Sequence, residues 1–168
     1  MKQSALLLVS GALALGLATP ALSQETLPEV TVVAANYKYL QGTSGKEVAA
    51  PVQRLQRAAA AYNVKKSEYY EEDYDTYFIS FYIPEGQILA AYDASGKLLR
   101  TAEKYKNVKL PAAVTKAVAA RFPNWGITAD TYHVTYYEQQ GASTRYKLVL
   151  QNGDKRMRVQ VNDEGEFL

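Results

Sequence analysis

Apolar residues recur at helical spacing in the first half of this chain. Between residues 46 and 63 they fall at Val48, Val52, Leu55 and Ala59, a three- and four-residue step that predicts an amphipathic helix. Pro51 lies near the start of this stretch, where a missing backbone N–H is tolerated because first-turn donors have no partner inside the helix. The pattern therefore predicts one helix before any strand.

A second stretch with the same spacing predicts a second helix. It begins at Leu110-Pro111 and continues through Val114 and Val118 to Phe122. Pro123 then stops the helix. Alanine is frequent in both stretches, so we expect both helices to pack closely against a sheet.

Strand-like stretches follow each helix. In the first half they are residues 77–83, which are apolar on both faces, and residues 88–92. In the second half residues 132–137, 146–151 and 156–161 alternate apolar with mostly polar side chains. Turn residues separate them, including Pro84-Glu85-Gly86 and Asn152-Gly153, which favour tight reversals. Neighbouring strands are therefore expected to run antiparallel.

The second half of the chain repeats the first. Tyr77, Ile79 and Phe81 match Tyr146, Leu148 and Leu150, and the segment from Tyr92 to Gly96 matches Val161 to Gly165 at the same offset. The helices match at a shorter offset, as a difference in loop length would produce. We therefore predict an α+β fold of tandem αβββ repeats, about 48–106 and 107–168. They form one curved antiparallel sheet with two helices on one face and the other face open.

The alternation also assigns residues to the two faces of that sheet. Tyr146, Leu148 and Val161 belong to the more uniformly apolar set, so we expect the helices to cover their face. The opposite face mixes aromatic with basic and polar side chains, which is typical of protein interfaces. An antiparallel sheet can also simply leave such a face in water. The predicted partner-binding residues on it are Phe78, Tyr82, His133, Tyr137, Lys147, Gln151 and Arg158.

The N-terminus has the features of a secretory signal. Lys2 precedes an apolar run over residues 5–17, and Ala21-Leu22-Ser23 is a small-x-small cleavage site. The run is shorter than the roughly 20 apolar residues that span a bilayer. We predict a signal peptide at 1–23, an extended segment or linker at 24–47, and a mature protein that lies in the periplasm or outside the cell without a membrane span.

Composition narrows the class of partner. Loss of 23 residues from 168 leaves 145, enough for one domain, and loss of Lys2 leaves 18 basic against 17 acidic residues. A nucleic-acid partner usually requires a strong basic excess, so this balance argues against one. All 14 tyrosines lie in the mature chain, a surplus typical of aromatic sheet faces or recognition surfaces.

No residue pattern predicts catalysis, a cofactor or a metal site. The chain has no cysteine, and His133 is its only histidine, so the usual zinc ligands cannot be assembled. His133 lies inside a strand pattern, without a loop or helix end to form an oxyanion hole. The acidic segment Glu68 to Asp75 matches no calcium loop and is more typical of a solvated hairpin. We therefore expect a non-catalytic protein.

The chain also resembles a known group of exported domains. Leu110-Pro111-Ala112-Ala113-Val114, Arg121-Phe122-Pro123 and the strand–turn from Tyr92 to Leu99 resemble those of PepSY-like and β-lactamase-inhibitor-like domains of bacterial envelopes. The resemblance covers about 48–168. It implies tandem helix-plus-sheet units with helices on one side and a concave open face on the other. Better-understood relatives of this shape inhibit enzymes by seating a partner against the concave face. The resemblance therefore implies a similar use of that face in this chain.

Two main functional hypotheses follow from the sequence, with an enzyme that uses His133 as a third and weaker possibility. The first is a non-catalytic exported module that binds another envelope or extracellular protein through the open sheet face, as an inhibitor or regulator of an envelope enzyme. The alternative is a periplasmic domain that senses a small ligand or calcium through the acidic segment around Glu71-Glu72-Asp73.

Overall fold

Three α-helices, a short 3-10 helix (Val64–Lys66) and a six-stranded antiparallel sheet form the part of the protein that the structure describes. The structure, a computed structural model, describes residues 36–43, 45 and 47–168, so the predicted signal peptide lies outside the described residues. None of the helices in this part of the chain has the length and apolar character that crossing a bilayer requires. The helices are α1 (Tyr37–Thr43), α2 (Ala50–Ala61) and α3 (Ala112–Arg121). The strands are β1 (Thr76–Ile83), β2 (Gly86–Asp93), β3 (Leu98–Lys106), β4 (Gly126–Tyr137), β5 (Gly141–Asn152) and β6 (Lys155–Val161).

The sheet follows chain order. Each strand pairs antiparallel with the next, from β1 at one edge to β6 at the other. A helix followed by three strands occurs twice, as predicted. The residue matches do not follow this order, however, because Tyr77 lies in the first strand of its unit and Tyr146 in the second strand of its own. The shared alternation therefore identified the strands correctly but did not show whether each is the first, second or third strand of its repeat.

One face of the sheet carries the hydrophobic core. Tyr146, Leu148 and Val161 are almost completely buried, as the alternation predicted. The core also holds half of the tyrosine surplus, since seven of the 14 tyrosines are buried. Three of these lie in register on neighbouring strands, where Tyr105 stacks on Tyr132 and Tyr132 stacks on Tyr146. Half of the tyrosines therefore pack in the core and do not contribute to a recognition surface.

Helix α1 corrects the prediction for the segment before the first repeat. An extended segment or linker is predicted at 24–47, yet Tyr37–Thr43 form a helix that packs on α2, β4 and β5. Asn36 precedes it and is buried. Its side-chain amide donates to the carbonyls of Ala60 and Gly96, and its oxygen accepts from the N–H of Leu98. Tertiary contacts thus hold a helix whose own propensity is weak.

A buried carboxylate joins α1 to the sheet. Glu103 of β3 points into the core, where Oε1 accepts hydrogen bonds from the Tyr39 hydroxyl at 2.6 Å and the Thr101 hydroxyl at 2.8 Å. Oε2 accepts from the Tyr105 hydroxyl at 2.9 Å and from Gln56 Nε2 of α2 at 3.0 Å. Burial raises the pKa of the Glu103 carboxyl above its ordinary value, and the four hydrogen bonds oppose this effect. We call these five residues the Glu103 cluster.

Replacing Tyr39 with phenylalanine is expected to cost about 2 kcal/mol of unfolding free energy, because it removes one donor to a buried carboxylate. Tyr37→Phe on the same helix is the matched control, since the Tyr37 side chain is exposed and its loss of a hydroxyl should change little. Urea unfolding of both variants measures the difference. Equal unfolding midpoints would contradict the view that Tyr39 anchors α1.

Helices α2 and α3 complete the covered face. The Tyr92 hydroxyl of β2 donates to the Ala59 carbonyl of α2 at 2.7 Å. Towards the β6 end of the same face, α3 approaches Gly165 so closely that a Cβ there would lie 2.7 Å from the Ala113 carbonyl oxygen. The small residues of both helices allow this proximity, as predicted. Three helices, rather than the two expected, therefore cover one face, and no helix of the described residues covers the other.

Candidate functional site

All seven predicted partner-binding residues point to the face that the helices leave open. The pairing registers of the six strands place their side chains on that face, because alternate residues of a strand point to opposite sides of the sheet. The residues are Phe78, Tyr82, His133, Tyr137, Lys147, Gln151 and Arg158. The alternation thus predicted their placement correctly, and the registers show which of them are neighbours.

An apolar patch lies on the part of this face formed by β1 to β4. In one cross-strand row Phe78 pairs with Ala91, Ala91 with Arg100, and Arg100 with Tyr137. Together with Leu89 in the next row, these residues line a shallow pocket of about 130 Å³. We call Phe78, Leu89 and Tyr137 the aromatic pocket.

The aromatic pocket is exposed to an unusual degree for large apolar side chains. Phe78 is 59% exposed, Leu89 44% and Tyr137 43%, and Tyr82 beside them is 69% exposed. The Arg100 guanidinium lies 5.7 Å from the centre of the Phe78 ring, a cation–π distance that restrains both side chains. Contiguous exposed apolar groups rimmed by polar residues are typical of interaction sites.

Basic side chains occupy the rest of the open face. In the rows from Phe78 to Arg156, the outward positions of the six strands hold seven lysine or arginine residues and no aspartate or glutamate. Asp93, at the end of β2, has its Oδ1 occupied by the backbone N–H groups of Ser95 and Lys97. We call the seven cations the basic patch. They are Arg100, Lys104, Lys106, Arg145, Lys147, Arg156 and Arg158.

The near-neutral net charge of the chain therefore conceals a separation of charge. The acidic segment Glu68 to Asp75 lies before β1, and its carboxylate side chains are exposed. Within the described residues, the two ion pairs join Lys38 and Lys97 to Glu138, so neither involves the basic patch. A balanced composition consequently does not describe the open face.

His133 lies among these cations rather than in a catalytic arrangement. It pairs with Lys104 on one side and Arg145 on the other. Partial burial lowers the pKa of the His133 imidazole, and the charges of Lys147, Arg145 and Lys104 lower it further. The imidazole is therefore neutral at neutral pH and can both donate and accept a hydrogen bond. Its neighbours on the sheet are cations and not the carboxylate that usually orients a catalytic histidine.

Sequence reasoning missed several residues of this face. No alternating strand pattern was assigned after the turn that follows β2, so Arg100, Lys104 and Lys106 of β3 were not assigned to the face. A signal was present, because these basic residues alternate with Thr101, Glu103 and Tyr105 from residue 100 onwards. The buried polar residues in that alternation obscured it, since a covered strand face is normally apolar.

Two other regions bear on ligand binding. Among the described residues, no group of three or more histidine, aspartate or glutamate side chains is placed to hold a metal ion, and this includes the acidic segment. On the helical side, a cavity of about 380 Å³ lies beside the N-terminal end of α3. Its described lining includes Glu47, Tyr132, Tyr146 and Asp163.

Comparison with protein-family models finds no match to this sequence. Comparison with curated protein sequences likewise finds none. The fold and the site geometry are therefore the basis for a functional proposal.

Proposed function

We propose that the protein is a non-catalytic exported module that binds another envelope or extracellular protein through the open sheet face. The observation that carries this proposal is the aromatic pocket, three large apolar side chains exposed together on a face that no described helix covers. Exposed aromatic residues surrounded by polar groups provide the few central contacts on which protein binding usually depends. An antiparallel sheet does not need such a cluster on its wet side.

The surrounding chemistry fits recognition better than catalysis. The Arg100 guanidinium lies over the Phe78 ring, and this weak attraction favours one ring position before binding, which reduces the entropy lost on association. The resemblance to PepSY-like and β-lactamase-inhibitor-like domains supports the same use of the face and suggests inhibition or regulation of an envelope enzyme. The predicted signal peptide suggests the periplasm or the extracellular space as the place of binding.

Truncation of the aromatic pocket tests the proposal. Phe78→Ala and Tyr137→Ala are each expected to weaken binding of a captured envelope protein by about 2 kcal/mol, or roughly 30-fold, because each removes a central anchor. Tyr37→Ala is the matched control, since Tyr37 is 58% exposed but lies on α1, on the other side of the sheet. The measurement is affinity capture from envelope and culture-fluid extract, followed by equilibrium binding of the captured protein.

The proposal fails if both pocket variants, confirmed to be folded, bind the captured protein as tightly as the parent does. It also fails if Tyr37→Ala alone weakens binding, because the helical side would then be the interface.

Small-ligand sensing has one observation in its favour, the cavity lined by Tyr132, Tyr146, Glu47 and Asp163. Its volume falls within the range of small-molecule sites. A ligand that binds only the folded state must raise the melting temperature, so thermal melting in the presence of calcium and of small polar molecules distinguishes this function from protein binding.

A further inference from the structure

The proposed binding of a protein does not by itself explain why the open face is basic. The basic patch brings seven cations together with no carboxylate in the rows between Phe78 and Arg156. Lys104 and Arg145 flank His133 in one row, and Lys147 lies opposite Thr131 in the next. Like charges in neighbouring rows repel one another. This arrangement destabilises the free protein slightly, and a negative partner would remove that cost.

Beyond the first row of the face, its apolar and basic parts overlap in one row only, where the exposed Tyr82 shares the row of Lys104 and Arg145. The aromatic pocket lies in the first two rows, at the part of the sheet formed by β1 to β4, and is accompanied there by a single cation, Arg100. The other six cations of the basic patch lie in the rows beyond it, two on β3, two on β5 and two on β6. A partner must therefore present one apolar group at one end and several negative groups at the other.

We propose that the occupant of the open face is an acidic protein segment that carries one aromatic or branched aliphatic side chain. This side chain fills the aromatic pocket, and the carboxylates of the segment lie over Lys104, Arg145 and Lys147. The inference rests on the proposed function and specifies the chemistry of the partner. Arginine and lysine bind carboxylates through charge-assisted hydrogen bonds, and complementary charge also speeds association.

The layout favours a polypeptide over a single-stranded nucleic acid. Nucleic-acid surfaces of this kind interleave aromatic rings with cations, because successive bases stack while their phosphates are neutralised. Here Tyr82 lies at the β1 end of the row of Lys104 and Arg145. The rows of Lys147 and Arg158 carry no aromatic residue, since their other outward members include Thr131, Val149 and Gln160. A protein segment with an anchor residue and acidic flanks matches both parts of the face.

Peptide selection tests this inference without knowledge of the natural partner. The probe is a displayed library of random 12-residue peptides, selected on the purified protein. Enriched peptides are expected to contain an excess of aspartate and glutamate and one aromatic or branched aliphatic residue. Binding of a selected peptide should fall at least about tenfold in Lys104→Glu/Lys147→Glu, and similarly when its glutamates are replaced by glutamine, because both changes remove attraction at the face.

The matched control is Lys65→Glu/Lys66→Glu. It changes the net charge by the same amount at two exposed lysines of the turn after α2, away from the open face, and should leave peptide binding unchanged. Raising the salt concentration should weaken binding to the parent and to this control alike, since exposed charges are screened.

Three outcomes would overturn the inference. Selected peptides without acidic residues that still require Phe78 and Tyr137 would show an apolar occupant and would leave the proposed function standing. Selected peptides that bind Lys104→Glu/Lys147→Glu, Phe78→Ala and the parent equally would remove both the inference and the proposed function. A single-stranded oligonucleotide that binds the basic patch more tightly than any selected peptide would identify a nucleic-acid surface instead.

Discussion

Replacement of Glu103 by leucine is expected to lower the free energy of unfolding by about 3–5 kcal/mol, because it leaves several buried donors without an acceptor at a cost of about 1–3 kcal/mol each. The change leaves three hydroxyl groups and one amide in the core without their acceptor, those of Tyr39, Thr101, Tyr105 and Gln56. Each unsatisfied buried donor is costly because it has lost water as well as its partner. Urea unfolding of the parent and Glu103→Leu measures the effect.

Glu164→Leu is the control for the same chemical change. Glu164 lies in the turn after β6 and is exposed, so its replacement should change stability by less than about 0.5 kcal/mol. A Glu103→Leu protein as stable as the control would contradict a structural role for the Glu103 cluster. The same result would show that the contact between Tyr39 and Glu103 is not the main anchor of α1.

The pH dependence of Glu103→Gln separates charge from packing. Burial raises the pKa of the folded-state carboxyl above its ordinary value of 4.5. Its contribution to stability is therefore complete below pH 4.5 and is lost as the pH rises through the folded-state pKa. The stability of the parent relative to Glu103→Gln should fall over that window and then become constant. A difference that instead grew with pH would show that the hydrogen bonds outweigh desolvation.

The second large effect is expected at Gly86, where alanine should cost about 3 kcal/mol, at the upper end of the usual cost of overpacking. An added Cβ would lie 2.4 Å from the Lys104 carbonyl oxygen, 2.5 Å from Tyr105 Cδ1 and 2.9 Å from Tyr105 Cα. Two of these atoms belong to the backbone of the paired strand and cannot move aside as a flexible side chain can. Gly86 thus provides room for the Tyr105 ring at the end of the stacked tyrosine row.

Gly153→Ala distinguishes this crowding from a general effect of replacing glycine. Gly153 has a φ of 56° in the β5–β6 turn, and a Cβ there would meet no atom within 4 Å. Its replacement should cost only about 1 kcal/mol, the penalty for a left-handed backbone conformation. Thermal or urea unfolding that ranked Gly153→Ala as the more damaging variant would be inconsistent with the described approach of β2 to β3.

The open face could be predicted from sequence because it depends on a local property. Alternation along β1 and β4 to β6 fixes which side chains share a side of the sheet, so Phe78, His133 and Lys147 were assigned correctly before their neighbours were known. The pattern could not show how the strands are ordered or registered. Hence the pairing of Arg100 with Tyr137, which completes the aromatic pocket, was found only in the structure.

The regions that escaped prediction depend on contacts between distant residues. Helix α1 contains Gly42 and has little helical propensity of its own, and Tyr39 is held by Glu103, which lies 64 positions later. Glu103 itself was missed because a charged residue on a covered face contradicts the usual pattern. Only the four donors around it explain its position. Local sequence therefore predicted the face where function is proposed better than the interior that supports it.

Site-specific photo-crosslinking tests the central claim, occupation of the open face by a protein, most directly. A photoreactive phenylalanine would replace Ser80, which lies next to the aromatic pocket on the outward side of β1, and separately Arg57, which is exposed on α2. Irradiation in the producing cells should yield a specific protein adduct from position 80 and none from position 57. An adduct from position 57 alone, or none from position 80, would contradict the account.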